Sequence, residues 1–199
     1  ENLTRAQAAK IISYLLLGNK TAEGLAGSGK FTDVAKTSWA AGFVAYCAAV
    51  GVVNGMGNGK FDPNGSLTTL QFAKMLLVAL GYDAKIEGFV GTDWSINVSA
   101  KANQVGLLNG LDVGANATLT REQAAKMCLN TLKAPLVEYD TKGTTVTVGG
   151  DASVTVGASK AEFKPSTNKN AQTISNAVIN GTTAYTVEFA EEYYSDLKL

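Results

Sequence analysis

Arg5 and Arg121 are the two arginines of a chain that carries fifteen lysines, and each directly follows a threonine placed to open a helix. A cation there opposes the helix dipole and costs from a few tenths to about 1 kcal/mol when exposed. Helix stability is therefore no reason for the position. A helix start with free N–H groups plus a guanidinium is an anion site, and the planar fork suits both oxygens of a carboxylate or phosphate. The other reading is that each arginine pairs with an acid, Asp33 or Asp93, and takes no ligand. Trp39 and Trp94 are the two tryptophans. An indole face can carry a sugar ring, but both residues also begin apolar helical stripes, so core packing stays open for them.

Little else in the composition can do covalent chemistry. The 199 residues include no histidine, which removes the usual general base, the common nucleophile pairs and the commonest metal ligand. No paired-carboxylate constellation replaces it, and neither an enzyme nor a cofactor is expected. Gly55-Met56-Gly57-Asn58-Gly59-Lys60-Phe61-Asp62 looks like a calcium loop but lacks the alternating acids and the final Glu. It reads as a turn-rich connector, and no metal site is expected. Gly27-Ser28-Gly29-Lys30 lacks the upstream glycine and strand of a phosphate loop. The zero net charge and pI near 6.6 argue against nucleic acid. No apolar run approaches the roughly 18 residues of a membrane span. Without a leader or an initiator Met, the chain reads as a piece of a larger exported protein.

The elements that position these residues come from a phrase used three times. It is Leu3-Thr4-Arg5-Ala6-Gln7, Leu67-Thr68-Thr69-Leu70-Gln71 and Leu119-Thr120-Arg121-Glu122-Gln123, with the threonines 64 and 52 residues apart. Thr with Gln three residues on is a capping box, so each copy predicts a helix start. Behind the caps, Ile12 and Leu16, Leu76 and Leu80, and Cys128 and Leu132 fall in register on one face. Three such helices can hide their stripes against one another, which predicts a central three-helix bundle. A second phrase repeats with an offset of 55: Trp39, Phe43, Cys47 and Val50 match Trp94, Val98, Ala102 and Val105, and Gly51-Val52-Val53-Asn54-Gly55 matches Gly106-Leu107-Leu108-Asn109-Gly110. These predict two short helices that stop at glycine and run into Asn-Gly turns. Cys47 and Cys128 sit in apolar slots and read as free thiols.

From Pro135 onward the pattern alternates. Val137–Tyr139, Thr144–Val148, Ser153–Val156, Ala161–Phe163, Ala177–Ile179 and Ala184–Phe189 read as strands, with a hairpin turn at Gly149–Ala152 and a polar loop at Asn168–Ala171. The expected class is α+β: a helical repeat domain over residues 1–134, in units of about 1–26 (partial), 27–82 and 83–134, then a small β-rich spacer or docking domain over 135–199.

Phe31-Thr32-Asp33-Val34, Trp39, Asn54-Gly55, Gly59-Lys60-Phe61-Asp62-Pro63 and the three Leu-Thr boxes together resemble the S-layer homology family, over roughly residues 1–133. The resemblance implies a pseudo-threefold domain on a cell-surface protein of a Gram-positive, Firmicutes-type bacterium. It implies noncovalent anchoring to an anionic secondary cell wall polysaccharide, such as a pyruvylated aminosugar polymer, in grooves between repeats, and an extracellular place in the wall or S-layer. By position, the implied ligand-binding residues are Arg5, Arg121, Asp33, Trp39, Trp94, Gly55, Gly59 and Gly110, with Asp93 a looser match. Thr69 stands where the other units have arginine and puts the second unit's pocket in doubt, because a hydroxyl cannot replace a guanidinium at a carboxylate. On this reading Arg5→Ala and Arg121→Ala weaken glycan binding and leave helix stability unchanged or slightly raised. The rival reading is a self-assembly module whose grooves bind neighbouring surface-layer subunits.

Overall fold

The computed structural model describes residues 1–147, 153–165, 178–179, 182–183 and 186–197. Among the described residues the fold is mixed, with six helices and a few short strands. The helices are α1 (Arg5–Glu23), α2 (Ala41–Ala49), α3 (Thr69–Ala79), α4 (Trp94–Gln104), α5 (Arg121–Leu132) and α6 (Phe189–Tyr193). All three capping boxes form. Thr4, Thr68 and Thr120 accept from the backbone N–H of Gln7, Gln71 and Gln123 at 3.3, 3.3 and 3.2 Å, and the three glutamine Oε1 atoms accept in return at 3.0, 2.9 and 2.9 Å.

The three helix starts are tied together by a closed ring of backbone hydrogen bonds. Leu3 donates to the carbonyl of Leu119 (2.8 Å), Leu119 to that of Leu67 (2.8 Å), and Leu67 to that of Leu3 (3.2 Å). Their side chains are buried. Just outside the ring, the first helical N–H of each long helix meets the carbonyl three residues before another helix's capping threonine. Arg5 donates to Gly65 (2.9 Å), Thr69 to Ala117 (3.0 Å) and Arg121 to Glu1 (3.0 Å). Helix starts always leave N–H groups without intrahelical partners, and here those groups link one repeat to another.

Contacts divide the chain into two compact units, residues 1–79 with 110–127, and residues 80–109 with 128–199. This division runs across α5 and does not follow the sequence boundary at 134–135. The first unit is helical. In it α1 packs against α2 and α3, and Cys47 seats α2 by donating its Sγ–H to the carbonyl of Ala9 at 3.4 Å, beside Ser13 Oγ at 3.5 Å. Close approach explains Gly42 at the start of α2, where a Cβ would meet the carbonyl oxygen of Leu25 at 2.2 Å. Gly18, at φ 71°, breaks α1 before its last turn. Both cysteines are free; Cys47 is buried and Cys128 half-buried, and burial pushes their thiols up to about 11 and about 12.

The second unit holds α4, α6 and three antiparallel strand pairs. Strand β1 (Val137–Glu138) pairs with β4 (Glu162–Phe163), β2 (Thr144–Thr147) with β3 (Ser153–Val156), and β5 (Val178–Ile179) with β6 (Thr182–Thr183). The strand expected at Ala184–Phe189 does not run through its last residue. Thr186 and Glu188 make single bridges to Pro165 and Pro135, and Phe189 opens α6. The reason is packing: Phe189 and Ala190 are buried, and Phe189 stacks on Tyr193 at 4.4 Å, the i, i+4 spacing of a helix. The turn at Gly149–Ala152, the loop at Asn168–Ala171, and Val148, Ala177, Ala184 and Tyr185 lie outside the described residues.

Candidate ligand-binding site

The loop 54–65 is shaped by its own turn residues and held by two charged side chains from elsewhere. Asn58 and Gly59 have φ 50° and 69°, the left-handed pair of a tight hairpin turn, and the turn closes through Lys60 N–H to Gly57 (3.0 Å) and Met56 N–H to Lys60 (2.8 Å). Asp33 then accepts from the backbone N–H groups of Phe61 and Asp62, one on each carboxylate oxygen, both at 2.8 Å. Burial works against the Asp33 charge, but the N–H groups of Phe61, Asp62 and Asp33 itself, with Lys60 nearby, outweigh it and lower its pKa.

Arg5 grips the same loop from the other side. Its Nε donates to the carbonyl of Phe61 at 2.7 Å and its Nη2 to that of Asn54 at 2.9 Å, while its guanidinium carbon lies 4.5 Å from the Phe61 ring centroid. Burial lowers the Arg5 pKa, opposed by the charges of Asp62 and Asp33. Gly55 is packed into the cluster, since a Cβ there would lie 2.8 Å from both Lys60 O and a Phe31 ring carbon. Arg5, Asp33, Gly55 and Gly59 therefore belong to one local assembly.

Neither arginine pairs with the acid the sequence suggested. Among the described residues Arg5 has no acid within ion-pair distance and is bonded to carbonyls; Arg121 pairs with Glu1 at 3.4 Å, both side chains well exposed. The Arg5 side chain thus closes a loop as well as facing a helix dipole. Thr69 is buried in place of an arginine, and its Oγ donates to the carbonyl of Ala117 at 3.4 Å. The loop it meets, 112–117, is three residues shorter than its counterpart in the preceding repeat.

Trp39 is 59% exposed, so its indole is not core. It stands 6.5 Å from the Phe43 ring, which meets Tyr14 edge-on at 5.8 Å, and the Lys10 ammonium lies 5.1 Å from both of those rings. Gly110 has φ 73°, and a Cβ there would lie 3.1 Å from the Cε of Lys126. Arg121 and Gly110 belong to the first unit, and the exposed Asp93 and half-buried Trp94 to the second.

The second unit contains a feature that motif reading missed. A cavity of about 540 Å³ is lined by Lys85, Lys101, Lys160, Glu87 and Ser159 among others. Glu87 is committed twice, to the Lys101 ammonium at 3.2 Å and to the Tyr139 hydroxyl, which donates at 2.8 Å. Burial, then the Glu87 charge, pushes the Tyr82 phenol up, and the Lys101 ammonium sits 5.0 Å from its ring. The residues are far apart in sequence and carry no common pattern, which is why periodicity did not reveal the cavity.

Residues 30–73, which hold Asp33, Trp39 and the whole turn-bearing loop, match the family described as the S-layer homology domain. The chain carries an S-layer homology domain. It is a member of that family of cell-surface proteins of Gram-positive, Firmicutes-type bacteria. A "Cell surface protein" of Thermoanaerobacter kivui is 35% identical over 164 residues, 81% of this chain and 20% of the relative. A "Middle cell wall protein" of Brevibacillus brevis is 30% identical over 149 residues, 73% of this chain and 13% of the relative. A "Cellulosome-anchoring protein" of Acetivibrio thermocellus is 35% identical over 92 residues, 46% of this chain and 20% of the relative. The chain thus spans a fifth or less of these relatives' lengths. S-layer homology proteins of this group are extracellular and cell-wall associated, and that is the location of this chain. No described helix is long and apolar enough to cross a membrane.

Proposed function

We infer that the chain is a non-catalytic module that anchors a longer secreted protein to the cell wall, as its S-layer homology domain and relatives with anchoring and wall names support. The ligand proposed is an anionic secondary cell wall polysaccharide, of the pyruvylated aminosugar kind, held noncovalently between repeats of a pseudo-threefold domain. The proposed site residues are Arg5, Arg121, Asp33, Trp39, Trp94, Asp93, Gly55, Gly59 and Gly110, and the domain is taken as residues 1–134 with a β-rich spacer at 135–199.

The observation that carries this reading is the exposure of Trp39. Phe43 and Cys47 in the helix that follows are buried while the indole, in the turn before it, stays in water, an arrangement that costs apolar burial and leaves a sugar-stacking face. The two arginines then divide the work. Arg5 spends two donors on the loop and positions it. Arg121, whose exposed pair with Glu1 is of the weak surface kind, is the guanidinium more open to a ligand carboxylate.

The test is calorimetric titration of the chain with Gram-positive wall polysaccharide, before and after mild acid removal of ketal-linked acidic groups. Binding that disappears with the acid groups is expected, and Arg121→Ala should weaken it by about 1.5–3 kcal/mol, the worth of a charged hydrogen bond. Unchanged affinity after acid treatment would reject the carboxylate reading. Concentration-dependent oligomers with no glycan binding would favour the protein-lattice reading instead.

A further inference from the structure

The cavity of about 540 Å³ in the second unit has the volume of a small-molecule site and shares no residue with the proposed anchoring site. Its lining belongs wholly to that unit and carries three lysines and one acid. The acid is spent within the wall. One Glu87 oxygen accepts from the Tyr139 hydroxyl at 2.8 Å and the other pairs with the Lys101 ammonium at 3.2 Å, so the Glu87 and Lys101 charges offset each other. Lys85 and Lys160 remain, both exposed and without an ion pair among the described residues.

The loops that bear these two lysines are fastened to one short segment. The Tyr139 hydroxyl accepts from the Asp83 N–H at 3.0 Å, and the Asp83 carboxylate accepts in turn from the N–H groups of Lys85 and Ile86 at 2.9 and 3.1 Å. Two residues further on, the Thr141 carbonyl accepts from the Ser159 N–H at 2.8 Å and its hydroxyl at 3.1 Å, and the Thr141 N–H donates to that hydroxyl at 3.1 Å. Residues 139–141 thus fix the backbone beneath both ammoniums before a ligand arrives, which lowers the cost of binding. The charged donors here are lysines, compact point charges that suit a phosphoryl group, whereas the planar fork that suits a carboxylate is arginine's. We propose that this cavity is a second anion site, in which Lys85 and Lys160 hold a phosphoryl group. The volume leaves room for more than the ion itself, which favours a phosphate carried on a sugar over free inorganic phosphate.

The experiment titrates the full chain calorimetrically, at low ionic strength, with glucose 1-phosphate, inorganic phosphate, acetate and glucose. The sugar phosphate should bind more tightly than acetate, and glucose not at all. Lys85→Gln with Lys160→Gln should weaken the sugar phosphate about ten-fold or more, the worth of at least one charged hydrogen bond. Both side chains are exposed, so this variant should keep the parent's melting midpoint. Lys20→Gln, at an exposed lysine of the first unit, should leave the affinity unchanged. Amide shifts on binding should centre on residues 85–87 and 157–161. Inorganic phosphate binding as tightly as the sugar phosphate would assign the site to the phosphoryl group alone, and weaker binding to the sugar-borne form. Acetate binding equally well, parent-like affinity in the folded double variant, an equal loss with Lys20→Gln, or no phosphate binding at all overturns the proposal.

Discussion

Arg5 and Arg121 hold the same place in their repeats and are restrained in different ways. Arg5 is half-buried and donates two charged hydrogen bonds to carbonyls of a loop some fifty residues away. Arg121 makes one exposed ion pair at 3.4 Å. Arg5→Ala should therefore destabilise the chain by about 1–2 kcal/mol, mostly the cost of leaving the part-buried Phe61 carbonyl without its charged donor, and Arg121→Ala by about 0.5 kcal/mol or less. Urea unfolding of the two variants checks the contrast, and equal losses would refute it. Arg5→Lys should rescue little, since an ammonium cannot span the carbonyls of Asn54 and Phe61 in the guanidinium's fork.

At the scale of elements, α6 offers a pH test. Glu188 stands just before Phe189 at its start, and burial, with the Glu191 charge added and Lys133 opposing, raises its pKa to about 7. An acid with a raised folded pKa binds its proton more tightly in the native state than in the unfolded one. Stability should therefore be full below the unfolded value near 4.5 and fall as pH rises toward 7. Glu188→Gln should flatten that part of the stability–pH curve and change little at pH 4, read by melting midpoints from pH 4 to 8. A slope unchanged by the substitution would assign the effect to other groups. The sign is opposite for Asp33, whose lowered pKa makes its contribution disappear in acid.

For the whole molecule, the ring of Leu3, Leu67 and Leu119 joins residues more than fifty positions apart in each pairing. Such contacts cost loop-closure entropy and return it only when all three repeats are in place. Leu119→Ala, at a fully buried ring position, should cost about 2–5 kcal/mol. Because its backbone bonds tie α1, α3 and α5 at their starts, the loss should appear as faster amide exchange at the starts of α1 and α3 as well as α5. Exchange changes confined to α5 would show that the ring does not couple the repeats.

Local signals were legible wherever the physics was local. The three Thr-x-x-Gln boxes formed because cap and helix lie within one turn, and the helix-ending glycines Gly51 and Gly106 and the turn at Gly110 took their left-handed φ because that preference belongs to single residues, whereas the tight turn expected at Asn54-Gly55 sits instead at Asn58-Gly59. The family match rests on the same order of short signals. What sequence could not supply were the partners of side chains across long separations. Arg5 and Asp33 were recognised as special, yet their partners proved to be carbonyls and N–H groups of the loop 54–62, which carry no residue identity to read. Phe189 looked like the end of a strand until burial against its own unit made it the start of a helix. The sequence by itself determined three capped helices, their repeat register and the family. Tertiary structure alone decided which groups hold the loop and how the helix starts close into a ring, because those outcomes depend on burial and on backbone groups that every residue shares.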